Sequence, residues 1–206
     1  MEDKYVYYTI EKPVEAMFKD RGSKFLAYAY PVTSEKKIKE HIQQLKKEHP
    51  KAVHHCVAWR LGYDGNLFRA NDDGEPSGTA GKPMLGQIDS MMLTNVLVVV
   101  VRYFGGTLLG VPGLIHAYKT VTADALQQAT IIEKWIESYY QLRFEYPVMD
   151  EVLRILRQAE VQIYKQEMQL WCEFQVGIPI KYMTTCMEKL KDVKGLTIES
   201  LQMPDA

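Results

Sequence analysis

Residues 94–113 read TNVLVVVVRYFGGTLLGVPG, and the architecture of the chain turns on this stretch. Val96 to Val101 is an unbroken apolar run, mostly β-branched, which is the pattern of a buried strand. It ends at Arg102, Tyr103 and Phe104, turns through glycines, and leads into a helix expected from Pro112 to Ala129. Pro112 suits a first helical turn, where its missing N–H costs nothing. A buried strand that feeds a helix through a glycine turn points to a mixed α and β fold.

The same signals extend in both directions. KFLAYAYPV (24–32) reads as a strand, and Thr33 or Ser34 caps a helix over SEKKIKEHIQQLKKEH (34–49). Ile38, Ile42 and Leu45 recur there at helical spacing, and Pro50 ends it. HHCVAWRL (54–61) and NLFRAND (66–72) are strands joined at Asp64-Gly65, a hairpin signal. A second helix is expected after Pro83. Beyond it, 132–146 reads as one strand and DEVLRILRQAE (150–160) as a helix with Val152, Ile155, Leu156 and Ala159 on one face. VQIYKQ (161–166) and MQLWCEFQVGI (168–178) follow as strands around a turn at Glu167. A helix over 179–193 and a strand over 195–202 close the order β-α-β-β-α-β, that of a ferredoxin-like domain. The expected domains are therefore 1–134 and 135–206.

Composition narrows the function classes. The 206 residues carry 25 basic and 26 acidic side chains, a net charge of -1, so no global charge favours nucleic acid. Residues 1–134 hold 17 basic and 15 acidic residues, net +2, and residues 135–206 hold 8 and 11, net -3. Any nucleic-acid surface is therefore local and expected on the first domain. Cys56, Cys172 and Cys186 are far apart, which suggests neither a disulfide framework nor a zinc cluster. MEDKYVYYTIEK at the start lacks a signal-peptide core, and the Val96–Val101 run is too short to span a bilayer. These features point to a cytoplasmic protein with no membrane partner.

The loop NDDGEPSGTAGKP (71–83) fits several chemistries incompletely. Gly81-Lys82 echoes a phosphate loop, but Pro76 occupies the upstream glycine position and Pro83 replaces the magnesium-binding hydroxyl. Asp72, Asp73 and Glu75 lack EF-hand spacing, which leaves at most a weak magnesium contact. Ser77 with His54 or His55 and Asp72 supplies the residue types of a hydrolase, but GEPSG is not the GxSxG elbow. His54 and Cys56 share a strand face and could share a ligand, or could be a hydrogen-bonded histidine beside a buried thiol. RYFGGTLLGVPG (102–113) either presents N–H groups to an anion or uses its glycines for close packing. Tyr103 and Phe104 could stack on bases if exposed.

RGSKF (21–25), HHCVAWRLG (54–62), NDDGEPSGTAGKP and LTNVLVVVVRYFGGTLLGVPGL (93–114) together resemble the YigZ/Impact family. That resemblance implies an α/β domain similar to the second domain of ribosomal protein S5. A ferredoxin-like domain resembling the late domains of elongation factor G would follow it. Eukaryotic Impact relatives regulate translation through a stress-kinase activator, using an additional N-terminal domain without a counterpart in this sequence. The chain reads LGVPGLIHAY where bacterial members commonly read LGTGGLVRAY. Val111, Pro112 and His116 thus weaken the case for an anion at residues 110–116.

These readings give a translation-associated regulator that binds RNA, the ribosome or a translation factor, without catalysis and without cofactor or metal. The candidate binding residues are Lys24, His54, Asp72, Asp73, Glu75, Ser77, Thr79, Lys82, Arg102, Gly105 and Gly106. The alternative is a hydrolase of a phosphate- or peptide-like substrate using the acidic loop. A third reading makes 71–83 a structural knot of turns.

Overall fold

A computed structural model describes residues 5–201, which divide into two compact units, Tyr7–Lys134 and residues 135–201 together with Tyr5 and Val6. The first unit is built on five antiparallel strands in the order β2-β3-β6-β4-β5. These are β2 (Val14–Asp20), β3 (Ser23–Pro31), β4 (His54–Leu61), β5 (Leu67–Asn71) and β6 (Val96–Tyr103). Central β6 is the apolar run: Val96 to Val101 are all fully buried. At roughly 1.5–3 kcal/mol per buried side chain, this strand anchors the unit.

Alternation on these strands makes two cores. Phe25, Ala27, Ala29, Cys56, Ala58, Val98 and Val100 face α2 (Gly81–Ser90) and α3 (Gly110–Gln127). Val57, Trp59, Leu61, Leu97, Val99 and Val101 face α1 (Glu35–Glu48) through Ile38 and Leu45. Helices on both faces explain why β6 has no polar side before Arg102. Ser34 caps α1, its side chain accepting from Lys37 N at 3.4 Å.

In the second unit the strands β8 (Glu137–Phe144), β9 (Gln162–Met168), β10 (Cys172–Pro179) and β11 (Thr197–Leu201) take the order β11-β8-β10-β9. With α4 (Met149–Gln158) and α5 (Met183–Asp192) on one face, this is the ferredoxin-like arrangement. Val152, Ile155, Leu156 and Ala159 are buried against Leu142, Phe144 and Phe174, as their spacing predicts.

Several boundaries differ from the sequence reading. The single strand expected over 132–146 is two, β7 (Ile131–Trp135) and β8, and β7 pairs with β1 (Val6–Ile10) in a separate sheet. β1 and β2 are strands that the sequence reading did not include. The turn expected at Glu167 lies later, because Glu167 pairs with Glu173 and Met168 with Cys172. α2 starts two residues before Pro83 and α3 two before Pro112, with each proline inside the first turn. The end of the last expected strand, Gln202, lies outside the described residues. No helix among the described residues is long and apolar enough to cross a membrane.

Candidate functional site

Arg102 sits opposite Phe25 on β3 and His54 on β4, so the three form one row across the central strands. Arg102 is only 5% exposed. A buried guanidinium requires a counter-charge, and Glu75 supplies it: Nη1 donates to Glu75 Oε1 at 2.6 Å. Tyr118 on α3 donates its hydroxyl to the same oxygen at 2.7 Å, and Cys56 donates its thiol to the Tyr118 hydroxyl at 3.3 Å. Burial pushes the Tyr118 hydroxyl and the Cys56 thiol far above their ordinary pKa values. Both are neutral donors, and Cys56 has no thiolate character at neutral pH.

The other two carboxylates of the loop are also consumed by the backbone. Asp72 accepts from the N–H groups of Gly78, Ala80 and Gly81 at 2.9, 3.0 and 2.8 Å. It thereby caps α2, whose own N-cap, Ala80, has no side-chain acceptor. Partial burial would raise the Asp72 pKa, but the three donated hydrogen bonds outweigh it and hold the carboxyl low. Asp73 adopts φ +43° and accepts the His55 N–H at 2.7 Å. Its carbonyl bonds His54 Nδ1 at 2.8 Å. Thr79 closes the loop by donating Oγ1 to the Pro76 carbonyl at 2.7 Å. Gly81 permits direct packing on β5, where a Cβ would lie 2.5 Å from Asn71 N.

RGSKF and RYFGG form the other half of this end of the sheet. The hairpin tip at Gly22 presses on Gly105 so closely that a Cβ at Gly105 would lie 1.9 Å from Gly22 C. Ser23 Oγ accepts from Gly105 N at 3.2 Å, and Arg21 donates to the Leu109 carbonyl at 3.1 Å. Gly105 therefore provides close approach, and its N–H is already used. Gly106, at φ +85° with open space around it, provides the turn.

The candidate residues thus separate. Glu75, Arg102 and His54 meet, with His54 Nε2 3.8 Å from Glu75 Oε2. They form part of the floor of an approximately 340 Å³ cavity whose wall is apolar: Val53, Phe104, Leu109 and Val111 contribute, and Leu108 is 82% exposed at its mouth. Asp72, Asp73 and Thr79 build the loop. Ser77 is exposed and makes no described contact with a histidine, so the serine, histidine and carboxylate of a hydrolase do not assemble among the described residues. No group of three metal-ligating side chains converges among them either. The basic residues do not share a surface. Arg102 is buried in its ion pair, Lys82 is exposed on α2, and Lys24 lies in register with Tyr103 on the sheet face that α1 covers. His116 rests edge-on against Phe18, with ring centroids 5.9 Å apart, outside the cavity.

Ser23, Arg21 and Tyr118 escaped the sequence reading because their partners lie 79–88 and 43–62 positions away. The positive groups it omitted are on the other face. Lys39 and Lys46 of α1 and Arg69 of β5 line a cleft of about 170 Å³ with His55, Val57 and Trp59. Lys39 and Arg69 have no ion-pair partner among the described residues, and Lys46 reaches Asp73 at 3.8 Å. A basic cluster spread over a helix and an edge strand has no linear motif. The clue available was the density of lysines in 36–51.

Known proteins resemble this chain over most of its length. Residues 21–126 match the family model for the Impact N-terminal domain. The Escherichia coli protein described as IMPACT family member YigZ is 33% identical over 195 residues, covering 94% of this chain and 96% of its own. A Saccharomyces cerevisiae Impact homologue is 41% identical over 106 residues, covering 49% of this chain and 40% of its own. A solved structure of a hypothetical protein is 31% identical and superposes over 98% of this chain and all of its own, with a TM-score of 0.73. The chain belongs to the Impact family.

Proposed function

We propose that this protein is a translation-associated regulator that works in the cytoplasm by binding RNA, on the face of its first unit formed by α1 and β5. Family membership, together with the role of the eukaryotic relatives, supports the link to translation. The observation that carries the binding surface is the grouping of Lys39, Lys46 and Arg69 around one concavity, with Lys47 and Lys51 exposed nearby in sequence. Such an arrangement neutralises phosphates locally in a chain of net charge -1.

Two further features favour α1 over the other surfaces. Every carboxylate of 71–83 is engaged in internal contacts, so the acidic stretch holds the sheet end together, and of its acids Asp73 alone lines the adjacent basic cleft. The face of the second unit's sheet opposite α4 and α5 carries Glu137, Glu167, Glu173 and Glu199 alongside Arg143 and Lys165, which are ion-paired to Glu173 and Glu167. That face repels phosphate.

Co-sedimentation with ribosomes and with purified ribosomal RNA tests the reading, using the intact protein and a Lys39→Ala/Lys46→Ala/Lys47→Ala variant. Saturable association lost in the variant is expected. Association unchanged by the three substitutions, in a protein that remains folded, would remove the surface from the account.

A further inference from the structure

We propose that the cleft between α1 and the β4–β5 hairpin is a ribonucleotide pocket, in which one base of a bound RNA enters and its phosphate stays at the rim. The inference rests on the RNA-binding reading and gives it a defined site.

The cleft has two chemistries arranged in depth. Ile38 and Ile42 from the helix and Val57 and Trp59 from the sheet form an apolar wall. Lys39, Lys46 and Arg69 supply three positive groups. Glu35 and Asp73 are the acids that face them, leaving a local excess of one positive charge. Asp73 is already committed, accepting the His55 N–H at 2.7 Å, and its 3.8 Å contact with half-exposed Lys46 contributes little. Lys39 and Arg69 are without ion-pair partners among the described residues.

His55 adds an independent polar group to the cleft lining. The residue is 7% exposed and lines the cleft, and its Nε2 makes no hydrogen bond of good geometry among the described residues, with the Leu45 backbone as the interaction nearest to one. A buried polar atom left unpaired costs on the order of 1–3 kcal/mol, and a ligand that reaches it recovers part of that cost. Burial, the largest influence on this ring, holds its pKa below the ordinary value, so it meets a ligand as a neutral imidazole.

The three features together select the ligand. A bare phosphate satisfies the cations and leaves the apolar wall empty. A purely apolar group fills the wall and leaves the cations and His55 unsatisfied. A nucleotide carries the phosphate, a flat ring for the wall and a hydrogen-bonding ring edge for the imidazole. A volume of about 170 Å³ accommodates the base, with ribose and phosphate towards the open side.

The test is a titration of the intact isotope-labelled protein with UMP and AMP, followed by amide chemical shifts. Ribose 5-phosphate, uridine and inorganic phosphate serve as comparators, and a single-stranded RNA oligomer is measured in parallel. Saturable shifts at residues 38–46, 55–59 and 69 are expected, with UMP or AMP binding more tightly than any comparator. In the Lys39→Ala/Arg69→Ala variant, which changes only exposed side chains, nucleotide affinity is expected to fall about tenfold or more. Inorganic phosphate matching the nucleotides, or affinity unchanged in the variant, would overturn the pocket. RNA binding with silent mononucleotides would overturn the pocket alone, whereas no binding of either would overturn the RNA reading as well.

Discussion

Replacing Glu75 by glutamine leaves the Arg102 guanidinium buried without its counter-charge. The pair is closed at 2.6 Å, with the two side chains 3% and 6% exposed, and the remaining described contact of the guanidinium's nitrogens is Nη2 to Ser23 Oγ at 3.4 Å. Glutamine keeps the shape and can still accept from Tyr118, so the loss isolates the charge. Breaking one side of a buried ion pair costs about 3–5 kcal/mol. A domain holds roughly 5–15 kcal/mol in total, so the first unit would become marginal. At a typical urea dependence of about 2 kcal/mol per molar, the unfolding midpoint should drop by roughly 2 M. Hydrogen exchange read by mass spectrometry separates the two units: peptides from β4 and β6 should lose protection and those from β8 and β10 should keep it. A double-mutant cycle with Arg102→Gln completes the argument, since removing both charges should be much less harmful than the sum of the single changes. A Glu75→Gln cost below about 1 kcal/mol, or a coupling energy near zero, would refute the view that this acid is structural.

Other consequences follow from the same geometry. Asp72→Ala removes the acceptor for three N–H groups at the start of α2 and should cost at least the roughly 1–2 kcal/mol of a lost helix cap, read by chemical denaturation. Because the Asp72 pKa is lowered on folding, its contribution is full above the unfolded value of about 3.9 and disappears as pH falls through the lower folded value. The variant should therefore show a shallower loss of stability with acid than the parent. Gly105→Ala should destabilise the first unit by about 1–3 kcal/mol or more, because its Cβ would overlap the Gly22 backbone, whereas Gly86→Ala, where a Cβ meets open space, should be tolerated. All three thiols are buried, and burial raises each pKa, that of Cys186 to about 11. A thiol reagent at neutral pH should therefore react only at the rate of unfolding, and fast labelling of the native protein would contradict this.

The fold was legible where a local pattern carried it. Val96–Val101 declared a buried strand, the Val152–Ala159 face declared a helix packed on a sheet, and the βαββαβ order followed from turns and periods. β2 was harder to see because VEAMFKD is an edge strand with no fully buried residue, so its apolar alternation is diluted by charges. Residues 132–146 read as one strand because nothing local marks Ile136, where pairing passes from β1 to β10.

The site was less legible, for a physical reason. Three acids in a row of turns look like available chemistry, yet their roles are fixed by partners far along the chain: Arg102 and Tyr118 for Glu75, the His55 N–H for Asp73, and the start of α2 for Asp72. Arg102 looked like a surface cation, but its neighbours Phe25 and Glu75 make it an internal one. Lys39 and Arg69 are 30 residues apart and meet only because α1 crosses the sheet over β4 and β5.

The most direct test of the account is the salt dependence of affinity for a single-stranded RNA, measured for the parent and for Lys39→Ala/Lys46→Ala/Lys47→Ala. The parent should bind saturably at low salt, with log affinity falling linearly against log salt. If all three lysines contact phosphate, the variant's slope should be shallower by about 2, from roughly 0.7 per lost contact. Absence of binding at low salt, or identical slopes for the two folded proteins, would contradict the placement of an RNA surface on α1.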